Sequence, residues 1–272
     1  MAATSQATVP LRIALLVEGS VETMTQDLGA PLVARELWTT ILEFALGAGA
    51  VELVEVRVIH KGEVFASLPT YRSNRANVAE HIQRLERKGT VDGVVVAWDL
   101  APYWEEATPN CRWDETKRFQ DVVVGATHAA WSTPALVRQH ELETRAPASN
   151  RVRPARVTVD KVVPVVMDRE FESVLVVDKR ALSNVTGVAT SHPKWPNAWR
   201  EKTRYPERDL IIPIVDDCRP PAAPAALRAV TEYRSGKDRW AHFLFSGLAA
   251  DHRARPKLLR HPMLERFTEV IS

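Results

Sequence analysis

The sequence predicts an α/β fold in which a mainly parallel sheet is flanked by helices and followed by a helical and irregular C-terminal part. Short apolar segments alternate with segments whose apolar residues recur at helical spacing, in the order strand, helix, strand, helix, strand. This order favours a parallel sheet with covering helices. Three of the apolar segments also end in acidic residues, and ligands of such sheets bind at the carboxyl ends of the strands.

The first strand and helix follow from the local pattern. Residues 11–17 form a short apolar run that stops at Gly19, which is typical of a buried strand. A helix is predicted to begin near Pro31, because proline suits a first helical turn, and to end at Gly47 and Gly49. The apolar positions at helical spacing between these limits are Leu32, Leu37, Ile41, Leu42 and Leu46.

The next three elements complete the strand and helix alternation. Residues 51–59 alternate apolar and charged side chains, which predicts a strand that could lie near a sheet edge. Asn74 is a plausible cap for a helix that runs to Lys88, where Gly89 ends it. Residues 91–98 are predicted to form the following buried strand.

Further elements are predicted beyond this unit. A helix is expected at residues 112–131, and an exposed loop or interrupted helix pair at residues 140–156. Residues 157–167 read as a strand, although Pro164 would prefer its start or an edge. Two short helices, at residues 170–177 and 179–185, are expected around a turn at Asp178.

The C-terminal third is less regular in its pattern. Residues 191–221 are rich in proline, tryptophan and charge, so an irregular surface segment is expected there. Helices are predicted at residues 222–233 and 239–250. The domain prediction is therefore an α/β core at residues 11–185 and a C-terminal extension at residues 186–272 that packs on it.

Composition limits the partners and the compartment. The 272 residues carry 36 basic and 34 acidic side chains, so the net charge of +2 supplies no global field for nucleic acid. Basic clusters at residues 138–156, 200–208 and 253–266 could form a phosphate-binding rim, or be solvated faces. Trp195 and Trp199 could stack on bases or simply fill gaps.

A cytoplasmic location without a membrane is expected. The two cysteines, Cys111 and Cys218, form no CxxC pair, which suits a reducing compartment. Residues 1–10 do not resemble a signal peptide, and no stretch approaches the roughly 20 apolar residues of a membrane span. The sequence contains no His/Cys spacing typical of zinc sites, no P-loop and neither a GxSxG nor a GxGxxG motif. It therefore does not point to those classes of enzyme.

Glu18 and Asp99 are the main candidate site residues, because each ends a predicted buried strand. Carboxylates in such positions can bind Mg²⁺ or Mn²⁺, and the ion can polarise a phosphodiester. The alternative is that these acids cap the following helices. Glu22 could be a second ligand, a general base or a solvated loop acid.

Further acids follow the other strands. Asp168, Glu170 and Glu172 come after the strand predicted at residues 157–167, and one of the two glutamates is expected to face the shared pocket. The predicted metal ligands are therefore Glu18, Asp99, Glu170 and Glu172. Additional acidic side chains are weaker candidates: Glu105, Glu106, Asp216 and Asp217.

Three motifs in this order resemble a bacterial family of TOPRIM-like proteins of unknown function. Residues 17–22 read Val-Glu-Gly-Ser-Val-Glu, Asp99 ends an apolar strand, and residues 170–172 read Glu-Phe-Glu. The last motif precedes an apolar segment and Asp178. The resemblance spans about residues 11–185.

The resemblance implies a compact α/β core, a glutamate as general acid/base and an Asp-x-Asp pair that binds Mg²⁺. Glu18 would be the general acid/base, with Glu22 secondary, and Asp99 the main ligand. Residues 99–101 read Asp-Leu-Ala, so the second aspartate is absent, and Glu105 or Glu170 could replace it. Related proteins include nucleases of the overcoming-lysogenization-defect type.

Two functions follow as expectations from this resemblance. The first is a Mg²⁺-dependent nuclease or phosphodiesterase-like effector of anti-phage defence, acting on DNA or RNA. The second is a catalytically degraded assembly or sensor subunit that binds a partner ATPase of the ABC or SMC type. Association with a second copy of the chain is also open.

Overall fold

The computed structural model describes residues 10–18, 30–59, 84–85, 88–99, 162–167, 170–197, 199 and 205–271. Within them, four parallel strands form a sheet of order β2-β1-β3-β4, and helices accompany it, so the fold is α/β. The strands are β1 (Leu11–Glu18), β2 (Val51–Ile59), β3 (Gly93–Asp99) and β4 (Val162–Met167). The strands predicted near these positions are confirmed, with β2 at an edge as the alternating pattern allowed.

The register of the sheet brings the acidic strand ends to one edge. Val17 of β1 pairs with Ala97 of β3, and Asp99 pairs with Met167 of β4. Every residue of β3 is buried, as a central strand of a parallel sheet requires. Pro164 lies within β4, at the end of the described strand order, where its missing N–H is tolerated.

Six α-helices and four helices of other types have defined bounds within the described residues. The α-helices are α1 (Ala30–Leu46), α2 (Lys179–Thr186), α3 (Ala225–Arg228), α4 (Lys237–Ala250), α5 (Ala254–Leu258) and α6 (Pro262–Ile271). The helices of other types are 3-10 helices at Phe171–Val176 and Tyr233–Gly236 and π-helices at Glu207–Ile211 and Pro213–Asp217. The helix predicted to start near Pro31, the two short helices around Asp178 and the helix near residues 239–250 are confirmed.

The prediction of an irregular surface segment at residues 191–221 is wrong in its second half. Leu210, Ile211 and Ile214 lie in the two consecutive π-helices and are fully buried. Pro213 lacks an N–H but occupies the first position of its helix, where none is needed. Asp216 therefore lies in a helix rather than at a strand end.

Other predicted elements differ from the structure in extent or lie outside the described residues. The helix expected at residues 222–233 is observed only at Ala225–Arg228. The predictions for residues 112–131 and 140–156 and most of the predicted helix at residues 74–88 lie outside the described residues.

The C-terminal helices pack on the same hydrophobic core as the sheet. Trp38 of α1 contacts Phe171 at 5.9 Å between ring centroids and Phe267 of α6 at 6.3 Å. Helices α2 and α4 approach so closely that a Cβ on Gly247 would lie 2.5 Å from a methyl of Val185. At the other end of α4, Lys237 lies 2.7 Å from Glu172, in the segment that follows β4.

Candidate metal centre

Two hydrogen bonds between a backbone N–H and a carboxylate link Glu18 to Asp99, and Asp99 to the segment after β4. The carboxylate of Glu18 accepts the N–H of Asp99 at 3.1 Å, and the carboxylate of Asp99 accepts the N–H of Phe171 at 2.9 Å. Asp99 thereby binds the first N–H of the 3-10 helix that follows β4, whereas the alternative drawn from the sequence was a cap on the helix after its own strand. The contact fixes the segment that carries the next two acids.

Glu170 is the most unusual of these acids. It precedes the 3-10 helix in an extended conformation, with φ −141° and ψ 160°, and its exposed fraction is 0%. Neither carboxylate oxygen has a hydrogen-bond partner among the described residues. Burial raises the pKa of Glu170 to about 10, and the negative charges of Glu172 and Asp99 add to the shift. Without a cation, this carboxyl group is therefore protonated at neutral pH.

Glu172 lies two residues on and is also fully buried. Its Oε1 accepts a hydrogen bond from the Tyr233 hydroxyl at 3.0 Å and lies 2.7 Å from Nζ of Lys237. Its Oε2 is buried without a partner in the described part of the chain. One of Glu170 and Glu172 was expected to face the shared pocket; the two carboxylates lie close together, because Glu170 directly precedes the helix that contains Glu172.

Glu207 completes the cluster from the π-helix Glu207–Ile211. It is 3% exposed, and its Oε1 lies 3.5 Å from Nζ of Lys237 and 3.9 Å from Nε of Arg234. Burial raises the pKa of Glu207 to about 7, although Lys237 opposes the shift. Nothing in the sequence pattern singled out this residue, since no acidic motif surrounds it and its segment was expected to be irregular.

The three glutamates form one buried group that could hold a metal ion. One carboxylate oxygen each from Glu170, Glu172 and Glu207 lies within 4.8 Å of the others. Hard cations such as Mg²⁺ and Ca²⁺ prefer this set of oxygen ligands. The orphaned oxygens of Glu170 fit such an ion, because a cation would supply the partner they lack.

Lys237 is the cation that contacts two of the three glutamates in the cluster. Burial alone would lower the pKa of Lys237, but Glu172 and Glu207 outweigh it and raise that pKa above its ordinary value. Its side chain is 31% exposed, so it also reaches solvent. Burial and the nearby Glu172 raise the pKa of Tyr233, which keeps its hydroxyl a hydrogen-bond donor.

Of the predicted site residues, some belong to the glutamate cluster and others lie elsewhere or outside the described residues. Glu170 and Glu172 belong to the glutamate cluster, and Asp99 is close enough for its charge to act on Glu170. Glu18 is partly buried and acts on the backbone of Asp99. Glu22 lies outside the described residues, as do three further acids: Glu105, Glu106 and Asp168.

This chain is an α/β protein with a buried carboxylate cluster beside the carboxyl ends of a parallel sheet. Comparison with known proteins identified no relative, because no family model, curated protein or solved structure matches the chain. Among the described helices, none combines the length and the apolar character needed to cross a membrane.

Proposed function

We propose that this protein is a Mg²⁺-dependent nuclease or phosphodiesterase-like effector with a TOPRIM-like core, acting in anti-phage defence. The observation that carries the proposal is Glu170, which is fully buried and unpartnered beside two further glutamates. A protein keeps such a group at a cost in stability, and perturbed carboxyl groups of this kind cluster at functional sites. The family resemblance supplies the defence role.

The proposed function assigns ion binding to buried residues and proton transfer to a more exposed one. Glu170, Glu172 and Glu207 would hold the ion, which when bound polarises a phosphodiester and positions water. Glu18 is only partly buried, so it is the acid that can exchange a proton with substrate or solvent. Asp99 links the two parts through its bonds to Glu18 and Phe171, and Glu22 would be a secondary acid.

A basic segment beside the site supports a nucleic-acid substrate. Exposed cationic side chains in and directly around α5 are Arg253, Arg255, Lys257 and Arg260. Lys257 binds Asp178 at 3.0 Å, and His261 lies 3.2 Å from the hydroxyl of Ser173. Ser173 belongs to the 3-10 helix that carries Glu172, so the basic segment flanks the helix of the candidate site. Phosphate groups are the partners that such a segment suits.

Arg253 and Arg260 are the best residues with which to test this surface. Arg255 already bonds to the carbonyl of Ala249 and stacks on Phe44 at 4.9 Å, so its loss would disturb packing. The double variant R253E/R260E is expected to weaken DNA or RNA binding at least tenfold and to lower its salt dependence, since two phosphate contacts are lost. Fluorescence anisotropy in EDTA measures binding without cleavage.

The matched control for this variant is K194E/R228E. It makes the same change in net charge at two exposed positions outside the basic segment. The control should bind like the unaltered protein. Equal loss in both variants would show that only overall charge matters, and would remove the basic segment from the proposal.

Cleavage assays test the proposed function directly. Purified protein, alone and with any co-encoded ABC- or SMC-type ATPase, is incubated with DNA and with RNA in Mg²⁺, in Mn²⁺ and in EDTA. Metal-dependent cleavage of either polymer is expected, and the two arms identify the substrate. Intact DNA and RNA under every condition would overturn the nuclease proposal.

A second candidate function is a catalytically degraded assembly subunit. Two observations favour it: Lys237 already neutralises part of the cluster, and the carboxylate of Asp99 is used to cap a helix. This function predicts a stable complex with the ATPase and no rise in melting temperature with Mg²⁺. The nuclease proposal predicts that Mg²⁺ raises the melting temperature.

A further inference from the structure

Lys237 pairs with two of the three glutamates in the cluster but not with Glu170. Its ammonium lies 2.7 Å from Glu172 and 3.5 Å from Glu207. No hydrogen bond from it, or from any other described group, reaches the carboxylate of Glu170. A single ammonium therefore partners two carboxylates and leaves the third, fully buried one without a partner.

We propose that the ammonium of Lys237 is the resident cation of this cluster and that a divalent cation binds by displacing it from Glu172 and Glu207. The inference deepens the proposed function, because it rests on the same metal centre, but it does not require nuclease activity. It makes Lys237 a residue that sets the affinity and the charge selectivity of the site.

Competition for the same oxygens is the physical basis of the exchange. Lys237 binds Oε1 of Glu172 and Oε1 of Glu207, and the ligand oxygens of the three glutamates lie within 4.8 Å of one another. An ion held among them would lie next to a like charge, and the two would repel each other. A divalent ion supplies two charges and takes six or more oxygen ligands, so it can serve all three glutamates at once. A monovalent ion has no such advantage over the ammonium.

Lys237 also has a route out of the cluster. It is the first residue of α4, and its side chain is 31% exposed. A lysine stem is flexible and carries a strongly hydrated charge, so rotation about its side-chain bonds can move the ammonium into water. The exchange therefore needs no movement of the helix backbone.

Mn²⁺ binding to K237M tests the exchange. The probe is Mn²⁺ alone, titrated calorimetrically into chelator-treated full-length protein. K237M is expected to melt at a lower temperature than the unaltered protein in EDTA, yet to bind Mn²⁺ at least tenfold more tightly. The control is K179M, at a partly buried lysine on α2 outside the cluster, which should bind Mn²⁺ as the unaltered protein does. Equal or weaker binding by K237M would overturn the proposal.

Amine labelling of the unaltered protein gives a second test that does not depend on how the variant folds. An amine-reactive reagent is applied with and without Mn²⁺, and modification at each lysine is measured by mass spectrometry. Labelling of Lys237 should rise at least severalfold with Mn²⁺, while labelling of Lys179 stays constant. Unchanged labelling of Lys237 at saturating Mn²⁺ would overturn the exchange. Tighter Mn²⁺ binding by K237M without any cleavage of nucleic acid would retain the exchange and reject only the nuclease.

Discussion

Replacing Glu170 with glutamine is expected to stabilise the metal-free protein and to abolish its response to Mg²⁺. The pKa of Glu170 rises from 4.5 to about 10 in the fold, chiefly through burial. Because the folded pKa lies above the unfolded one, ionisation of Glu170 adds no cost below pH 4.5, and stability falls as pH rises towards 10. Each pH unit in this window costs about 1.4 kcal/mol, so glutamine should gain about 3 kcal/mol at pH 7.

Denaturant unfolding in EDTA between pH 5 and pH 8 measures this effect. The difference between E170Q and the unaltered protein should be small at pH 5 and should grow with pH. E36Q is the matched control, since Glu36 is an exposed acid on α1. Addition of Mg²⁺ should stabilise the unaltered protein and E36Q but not E170Q. Lower stability of E170Q at pH 8, or an unchanged response to Mg²⁺, would contradict this assignment of Glu170.

Replacing Glu18 with glutamine is expected to lower metal-dependent cleavage by about 10²- to 10⁴-fold, the usual contribution of a general acid or base. Glutamine keeps a side-chain oxygen that can accept the N–H of Asp99, so β1 and β3 should stay joined. It cannot exchange a proton at that oxygen. Single-turnover cleavage rates, with Mn²⁺ binding measured on the same samples, separate loss of chemistry from loss of the metal.

The control for Glu18 is E52Q, at an exposed acid on β2 that lies outside the glutamate cluster. Its cleavage rate should match that of the unaltered protein. If E18Q cleaves as fast as E52Q, Glu18 serves only to bind the backbone of Asp99. The site would then need another general acid or base.

Periodicity and strand-end chemistry account for the part of the fold that the sequence predicted well. The apolar runs before Glu18 and Asp99 have few alternatives to buried strands, and proline and glycine mark the limits of α1. The rule that parallel strands present their carboxyl ends at one edge then placed Glu18 near Asp99.

The glutamate cluster was only half predictable, because its other half depends on tertiary packing. Glu207 and Lys237 lie more than 30 residues beyond Glu172 and carry no motif. Glu207 begins a buried π-helix and Lys237 begins α4, and the packing of these helices on the core brings both to Glu172. The sequence pattern missed those π-helices, because prolines and charges around them suggest irregular structure.

The packing also bears on which acid could replace the second aspartate that the sequence lacks after Asp99. The sequence suggested Glu105 or Glu170 as a replacement. The structure places Glu170 beside Glu172 and Glu207, and Glu207 comes from the C-terminal part of the chain. The carboxylate of Asp99 binds a backbone N–H of the intervening segment. Glu170, one of the two suggested replacements, therefore lies beside an acid that is distant in sequence, Glu207.

Anomalous scattering from crystals grown with Mn²⁺ tests the central claim, that this cluster is a divalent-cation site, most directly. A single strong peak is expected about 2.1 Å from carboxylate oxygens of Glu170, Glu172 and Glu207, with Lys237 turned towards solvent. A structure at saturating Mn²⁺ with no peak among these glutamates, and with Lys237 still bound to Glu172, would contradict the claim.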